Sequence, residues 1–501
     1  MISTLLTAMY VTVLAGLALY GFNALIFSGL FLRYRRRLLR PSSPPAPDEW
    51  PTVTVQLPLF NERFVVERLI DAVAALDYPA DRLSIQVLDD STDETITLAR
   101  SRVAYHRARG VNITYLRRPN RTGFKAGALA FGLQTAPGDF VAIFDADFVP
   151  PPDFLRRVMP HFTASQVGMV QARWGHLNAE LTPFTRAQAL ALDGHFVVEQ
   201  TVRSRSGLLL NFNGSGGVWR KRCIAGAGGW QADTIAEDLD LSYRAQLAGW
   251  RLCYLPHVVA PAEIPPLLTA FKRQQFRWAK GAIQCLRKYG RRLLVAPLPG
   301  LSPWQRFQAV LHLSGYLVHP LMLLMILIGL PVLLSRDPGP LPLSALGVAG
   351  FAPPVLFALS QWGAYSNWKW RFAYFPFLVL LGAGVTLNNS RAVFEALVGK
   401  NATEFLRTPK FRAEGRRRGG LRRAGEYTLP VDWTTWGELA LALYCVAETA
   451  VAVSRAPGLV PFMAMYTLGY IYIAGLGLWQ SWDGFFPAWR TRPKQTLRLP
   501  R

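Results

Sequence analysis

Cysteine is scarce. Cys223, Cys253, Cys285 and Cys445 are the four present in 501 residues, widely spaced and with no CxxC pair. That pattern excludes a cysteine metal cage and a disulfide framework, and it suits a reducing compartment. Acid is short as well: 32 Asp and Glu stand against 55 Lys and Arg, for a net charge of +23. Such an excess points to nucleic acid, anionic lipid or an anionic substrate. The arginine clusters lie beside apolar segments and on no recognisable nucleic-acid module, so no nucleic-acid partner is expected. No internal repeat is evident, and the N-terminal segment is not expected to be a cleavable leader. The apolar run 5–32 is too long for a signal peptide, lacks a positive flank before it and has no small-residue cleavage site. It ends in Arg33, Arg35, Arg36 and Arg37, and is read as a span with its basic end inside.

Hydrophobic residues make up 51% of the chain, concentrated at its two ends. The middle, from Trp50 to about Trp304, has the mixed composition of an α/β domain, entered through a proline-rich linker at 41–51. Apolar or β-branched runs at 52–57, 84–88, 112–116 and 140–144 alternate with helical spacing at 62–76, 92–108 and 124–134. This rhythm predicts a mostly parallel sheet with helices on both faces, which binds ligands beyond the carboxyl ends of its strands.

Beyond Trp304, the segments 311–334, 343–362, 436–453 and 460–479 are long enough to span a bilayer. The segment 372–388 is also apolar, but counting it as a span places two basic segments outside. One carries Lys410, Arg412, Arg416, Arg417, Arg418, Arg422 and Arg423, and the other is the tail with Arg490, Arg492, Lys494, Arg498 and Arg501. Positive-inside bias therefore favours five spans, with 372–399 an interfacial or re-entrant helix. The expected domains are 1–40 (span and basic flank), 41–51 (linker), 52–300 (cytoplasmic domain) and 301–370 (two spans). They continue with 371–435 (interface helix and basic loop), 436–480 (two spans) and 481–501 (basic tail). His312 and His319, seven apart, are expected on one face of the second span, toward a polar channel or a packed partner.

Carboxylates cluster after the predicted strands. Glu62 follows the first, Asp89-Asp90 the second and Asp145-Ala146-Asp147 the fourth, while Glu237-Asp238 stand further on. Two carboxylates at i and i+2 beyond a strand point the same way, and form a hard-oxygen site for Mg2+ or Mn2+ that also holds a diphosphate. Lys125, at a glycine-flanked helix start, suits a phosphate oxygen. Gln274, Gln275, Arg277 and Trp278 combine a fixed cation for a leaving diphosphate with an indole face for a sugar ring.

Taken in order, these motifs resemble the processive family-2 glycosyltransferases, which include cellulose, hyaluronan and mannan synthases. The nearest resemblance is to the cellulose-synthase-like mannan and glucomannan synthases. It is carried by 87–93 (Val-Leu-Asp-Asp-Ser-Thr-Asp), 144–148 (Phe-Asp-Ala-Asp-Phe), Gln171 to Trp174, His195 to Gln200, 212–220 and 274–278. The resemblance implies a cytoplasmic domain of GT-A type. It also implies that Glu62, Asp90, Lys125, Asp145 and Arg277 contact nucleotide and diphosphate, and that Asp145 and Asp147 hold the metal. Asp238, with Glu237 before it, matches the catalytic base of a Thr-Glu-Asp motif, with Ala236 in place of threonine. Phe212, Asn213, Gly214 and Ser215 resemble an acceptor-binding segment above Gln274, Gln275 and Trp278. Phe405, Thr408 and Lys410 resemble a gating loop, with Arg407 where valine is usual.

The implied activity is that of an inverting hexosyltransferase. It would use GDP-mannose or UDP-glucose with Mg2+ or Mn2+ to build, and carry across the membrane, a β-linked (β-1,4) mannan, glucomannan or glucan. The expected setting is a bacterial inner or plasma membrane, or a Golgi-like one, among membrane lipids, with room for accessory subunits or a homo-oligomer. An enzyme making a glycolipid by one or a few transfers shares the donor site but needs a lateral opening for its acceptor. A non-catalytic scaffold predicts loss of an acid among Asp90, Asp145, Asp147 and Asp238, and all four are present.

Overall fold

A computed structural model describes residues 2–38, 44–335, 350–399, 410–412 and 433–481. Helix α1 (Ile2–Leu38) leads into an α/β domain. It begins β1 (Val53–Leu59), α2 (Val66–Ala74), β2 (Leu83–Asp89), α3 (Thr95–Arg107), β3 (Ile113–Leu116), α4 (Phe124–Thr135) and β4 (Phe140–Ile143). It continues with α5 (Phe154–Val158), β5 (Val167–His176), α6 (Pro183–Asp193), a π-helical turn Gly194–Glu199 and α7 (Gln200–Arg205). Next come β6 (Gly217–Arg220), α8 (Lys221–Gly226), α9 (Glu237–Leu247), β7 (Arg251–Ala262) and α10 (Leu268–Val295). All four strands expected from the apolar runs are present.

The seven strands form one sheet in the order β3-β2-β1-β4-β6-β5-β7. Only β6 runs against its neighbours β4 and β5. Helices cover both faces, as the alternation predicts. Val66, Leu69, Ile70 and Val73 of α2, Ala99 and Val103 of α3 and Phe154 of α5 pack one face. Ala126 and Leu129 of α4, Ile224 of α8 and Leu241 and Ala245 of α9 pack the other. Under α4 the strands carry a buried polar ladder that follows the β1–β2 register. Thr54 meets Ser84 at 2.9 Å, and Gln56 donates to Gln86 at 3.0 Å. Gly132 lets α4 approach it, since a Cβ there would stand 2.6 Å from Gln56 Nε2.

Beyond the domain lie α11 (Pro303–Leu313), α12 (Val318–Leu334), α13 (Ala352–Ala364), α14 (Trp368–Phe372) and α15 (Phe375–Gly384). They are followed by α16 (Thr386–Val398), α17 (Trp433–Arg455) and α18 (Val460–Ser481). Among the described residues, four helices are long and apolar enough to cross a membrane: Thr4–Arg35, Gly315–Leu334, Trp433–Arg455 and Pro457–Gln480. The pair Trp368–Gly384 and Thr386–Val398, bent by 45°, makes a fifth if it counts as one span. Of the expected span 343–362, residues 343–349 lie outside the described residues.

The expected span 311–334 is corrected, because the helix breaks inside it. Ser314 Oγ donates back to Leu311 O, and the Tyr20 hydroxyl donates to Ser314 O at 3.1 Å. These bonds end α11 before a short turn, Gly315–Leu317. His312 and His319 therefore sit on different helices. His312 Nδ1 pairs with the Tyr243 hydroxyl at 2.9 Å, and His319 Nε2 with Asn389 Nδ2 at 3.0 Å.

Helix α10 joins the domain to the apolar helices. Near its start, buried Lys272 pairs with buried Glu438 of α17 at 2.8 Å and donates to Thr434 at 2.8 Å. Replacing one member strands a charge away from water, at a cost of about 3–5 kcal/mol. Glu438→Gln should therefore lower the thermal midpoint of the detergent-solubilised protein markedly. An unchanged midpoint would show that the pair does not fasten α10 to α17.

Candidate active site

The acids predicted to carry chemistry converge at the carboxyl ends of β1, β2 and β4. They line a cavity of about 210 Å3 with residues from α4, α9 and α10. Glu62, Asp90, Lys125, Asp145, Asp147, Asn213, Gly214, Glu237, Asp238, Gln274, Arg277, Trp278 and Lys410 all face it. Three residues expected at the acceptor site do not line it. Phe212 is buried in the core, edge-on to Trp219 with ring centroids 5.7 Å apart. Ser215 is buried beneath the floor, where its Oγ accepts the Asp145 backbone N–H at 2.9 Å. Gln275 lies on α10 but off the cavity wall. Phe405 and Thr408 lie outside the described residues.

Local structure explains how each group is aimed. Asp89 is used up in closing the end of β2, accepting from Ser91 N at 2.9 Å and the Tyr115 hydroxyl at 2.7 Å. Asp90 is gripped by Arg118 through two bonds, 2.8 and 2.6 Å long. Arg118 also donates to Phe124 O at 2.7 Å, which ties Asp90 to the turn that launches α4. In that turn Gly123 (φ 71°) and Phe124 (φ 48°) are both left-handed, and Gly127 lets the Thr122 carbonyl pass where a Cβ would collide with it. The turn delivers Lys125 into the cavity.

Lys125 Nζ is the centre of the cluster. It lies 2.6 Å from Asp145 Oδ1, 2.7 Å from Gly214 O and 3.8 Å from Glu237 Oε1. Burial opposes its charge, but Asp145, Glu237 and Asp238 outweigh that and hold the ammonium above the usual lysine range. Glu237 and Asp238 open α9. Burial raises both, Asp145 adds to the rise in each, the Glu237 charge adds to that of Asp238, and Lys125 opposes both. Asp238 is pushed up to about 7. Burial pulls Arg277 down, while Glu237, Asp145, Asp238 and Asp147 act to keep it charged.

Backbone close approach shapes the floor. Gly214 has φ 81°, and a Cβ there would stand 3.0 Å from Asp238 Oδ2. Gln171, fully buried, fixes this segment: its Nε2 donates to Ser215 O at 3.0 Å and its Oε1 accepts from Asn213 N at 3.0 Å. Trp174 Nε1 donates to Ser215 O at 3.0 Å. From the π-helical turn, His195 Nε2 meets Asn213 Oδ1 at 3.0 Å, and its Nδ1 meets Glu199 at 3.0 Å. The runs holding Gln171, Trp174 and His195 were legible as motifs, but their role as floor supports was not.

Two further groups escaped the sequence reading. Glu263, at the end of β7, pairs with Arg68 at 2.7 Å and accepts the Phe411 N–H at 3.3 Å. Phe411 is fully buried against Leu267 and Ala270. That anchor presents Lys410, whose Nζ reaches Asp147 Oδ2 at 2.6 Å. Each aspartate of the 145/147 pair is thus neutralised by an ammonium, Asp145 by Lys125 and Asp147 by Lys410.

Seven carboxylates and four cationic side chains line the cavity, an acid excess that fits a divalent cation. Among the described residues no group of three or more His, Cys, Asp or Glu is placed to hold one. Asp145 and Asp147 would thus supply the protein's share of hard oxygen, leaving other positions to phosphate and water, as Mg2+ commonly accepts.

Residues 51–281 match the family described as Glycosyltransferase like family 2. The chain is 44% identical over 280 residues to glucomannan 4-beta-mannosyltransferase 1 of Oryza sativa subsp. japonica, covering 53% of this chain and 54% of the relative. It is 45% identical over 244 residues to glucomannan 4-beta-mannosyltransferase 2 of Arabidopsis thaliana, covering 48% and 46%. The chain thus spans about half the length of the curated relatives it matches. In fold it is similar to a mannosyltransferase from Pyrobaculum calidifontis, solved in complex with GDP-Man and Mn2+. That match has a TM-score of 0.51 and 23% identity, over 78% of this chain and 99% of that one.

Lys410 occupies an oxygen of Asp147 that a divalent cation would need. Lys410→Met should therefore tighten Mn2+ binding several-fold in the absence of nucleotide, read by calorimetry or by the loss of the free-ion electron paramagnetic resonance signal. Equal or weaker Mn2+ binding would refute the competition.

Proposed function

We propose that this chain, which carries a glycosyltransferase family 2 domain over residues 51–281, is a membrane-embedded inverting hexosyltransferase. It would extend a β-1,4-linked mannan or glucomannan from a nucleotide sugar. The observation that carries this reading is the convergence of Asp238, Lys125, Arg277 and the Asp145/Asp147 pair on one cavity. GDP-mannose is the preferred donor, because the relatives are named 4-beta-mannosyltransferases and the structural neighbour binds GDP-Man with Mn2+. UDP-glucose is the alternative.

Displacement at an anomeric carbon needs a base for the acceptor hydroxyl and positive charge for the departing diphosphate. Asp238, held at the start of α9 with its Oδ2 beside Gly214, is the base. Asn213, Gly214, Gln274 and Trp278 are proposed to hold the acceptor sugar over it. Lys125 and Arg277 face the diphosphate, and Glu62 and Asp90 border the nucleotide. Glu237 shares Lys125 with Asp145 and helps keep Asp238 a stronger base than an exposed carboxylate. A Mg2+ or Mn2+ ion held by Asp145 and Asp147 would supply Lewis-acid stabilisation of the leaving group. Direct attack without a covalent intermediate inverts the donor's α-linkage to β.

The membrane arrangement belongs to the same proposal: a cytoplasmic domain at 52–300, five spans, and an interface helix and gating loop at 371–435. The anchoring of Lys410 beside Asp147 supports placing that loop on the catalytic side. Passage of the polymer through the spans is proposed on the same ground.

Membrane vesicles given GDP-mannose or UDP-glucose with Mn2+ should release nucleoside diphosphate and yield long polymer, identified by linkage analysis. Products carrying a single added sugar would instead place the chain with glycolipid-forming enzymes. Asp238→Asn should cut release by about 10²–10⁴-fold, the range of a lost general base, while donor binding persists. Release that survives the substitution would remove Asp238 from the role.

The pH dependence follows from the raised Asp238 carboxyl. A base acts only when ionised, so kcat/KM should fall as pH drops through about 7, rather than through the ordinary carboxylate range. A profile flat down to pH about 5 would contradict the buried, repelled pair.

A further inference from the structure

A second cavity, of about 810 Å3, opens at the amino ends of β5 and β7, away from the carboxylates. We propose that it binds the phosphate of an anionic lipid headgroup from the membrane leaflet facing the domain. Four groups carry the chemistry: Arg205 at the end of α7, Arg251 at the start of β7, His161 just before β5 and His257 within β7. No carboxylate lines the cavity among the described residues. Nor does the side chain of Arg205 or Arg251 make a hydrogen bond or ion pair within that set, whereas Lys125 and Lys410 in the first cavity are each paired with an acid.

The positive field registers on the neighbours. Burial holds His161 below the ordinary histidine value, and His257 and Arg205 push it further; burial, Arg157 and Arg205 do the same to His257. The Arg205 charge also acts on Cys253, together with that of Arg251. Two exposed guanidinium groups, with no acid among the described lining residues, suit an anion with several acceptor oxygens; guanidinium groups match phosphate geometry, and the two neutral imidazoles can add N–H donors.

The rim indicates a lipid. Gly300 and Leu301 close one side of the cavity, and the helices flanking them expose large apolar side chains. Leu294 is 64% exposed and Val295 75% at the end of α10, and Trp304 and Phe307 are each 42% exposed on α11. Next to Arg205, Ser206 Oγ donates to the Tyr34 hydroxyl at 3.2 Å, in the last turns of the candidate span Thr4–Arg35. The cavity thus lies level with the end of a span, where headgroups sit, and its collar suits acyl chains and glycerol. A basic pocket with an apolar rim at the membrane surface is the pattern that selects anionic lipid. The volume falls within the range that encloses a small organic group rather than a bare ion.

The test uses full-length protein in nanodiscs and needs no nucleotide sugar, so its failure would leave the catalytic reading untouched. The protein is placed in phosphatidylcholine discs with and without phosphatidylglycerol. Retained lipid is counted by native mass spectrometry, and hydrogen exchange is followed over 204–210 and 249–257. Wild type should retain phosphatidylglycerol selectively and show slowed exchange in both segments. The double variant Arg205→Gln/Arg251→Gln should lose that retention at least about tenfold, given roughly one kcal/mol of attraction per basic residue. Unaltered exchange in α9 and α10 serves as its folding control, and Arg109→Gln, far from the cavity, should behave as wild type. Equal retention by the double variant would overturn the proposal. So would protection by glycerol 3-phosphate in phosphatidylcholine discs without any phosphatidylglycerol retention, which would make the ligand a soluble phosphate instead.

Discussion

Lys125 holds together a group of carboxylates that would not otherwise stay together out of water. Asp145 lies 2.6 Å from its ammonium and Glu237 3.8 Å, with Asp238 next in line. Like charges about 4 Å apart repel by roughly 4 kcal/mol at an effective dielectric near 20, enough to force protons onto some of them. A single ammonium among three acids relieves much of that repulsion, and Arg277 relieves more from α10. The left-handed turn at Gly123 and Phe124 and the Arg118 grip on Asp90 can be understood from this requirement. Both exist to bring one lysine to one point.

Helix α10 links the same site to the apolar helices. It is 28 residues long, and its contacts change character along its length. At its start Lys272 pairs with Glu438 of α17, and the Leu268 N–H donates to Gln480 of α18 at 2.8 Å. Its middle presents Gln274, Arg277 and Trp278 to the cavity. A turn later Gly281 lies against Ala236, where a Cβ would approach the alanine's to 2.6 Å. Ala236 directly precedes Glu237 and Asp238, so the helix bearing Arg277 also sets the position of Asp238. Beside Gly281, Lys280 pairs with Glu395 of α16 at 2.9 Å, and further on Tyr289 donates to Asp240 of α9. The apolar helices and Asp238 thus share α10 as a common support.

Charge is separated along the sheet. Its carboxyl ends gather acids that fit a cation, and the amino ends of β5 and β7 gather cations with no acid among the described lining residues. The net charge of +23 is thus no even coat, since the cavity lined by Asp145 and Asp147 is acidic.

The sheet and much of the site were readable from sequence because their signals are local. An apolar run ending in Asp145-Ala146-Asp147, or a glycine-flanked Lys125, is a pattern a few residues long whose geometry follows from strand pleat and helix start. The lengths of apolar runs likewise disclosed helices able to cross a membrane. Other features depended on partners distant in sequence. Nothing near Arg118 or Glu263 marks them as supports, since Asp90 and Phe411 lie 28 and 148 residues away. Phe212 and Ser215 stand in the right motif but point into the core, because Trp219 and the Asp145 N–H claim them first. His312 and His319 kept helical spacing on paper, until Ser314 and Tyr20 took the backbone groups the helix needed. Composition and short motifs thus determined the chemistry on offer. Packing decided which side chains reach the cavity, because a side chain can satisfy only one neighbour, and that neighbour is set by the fold.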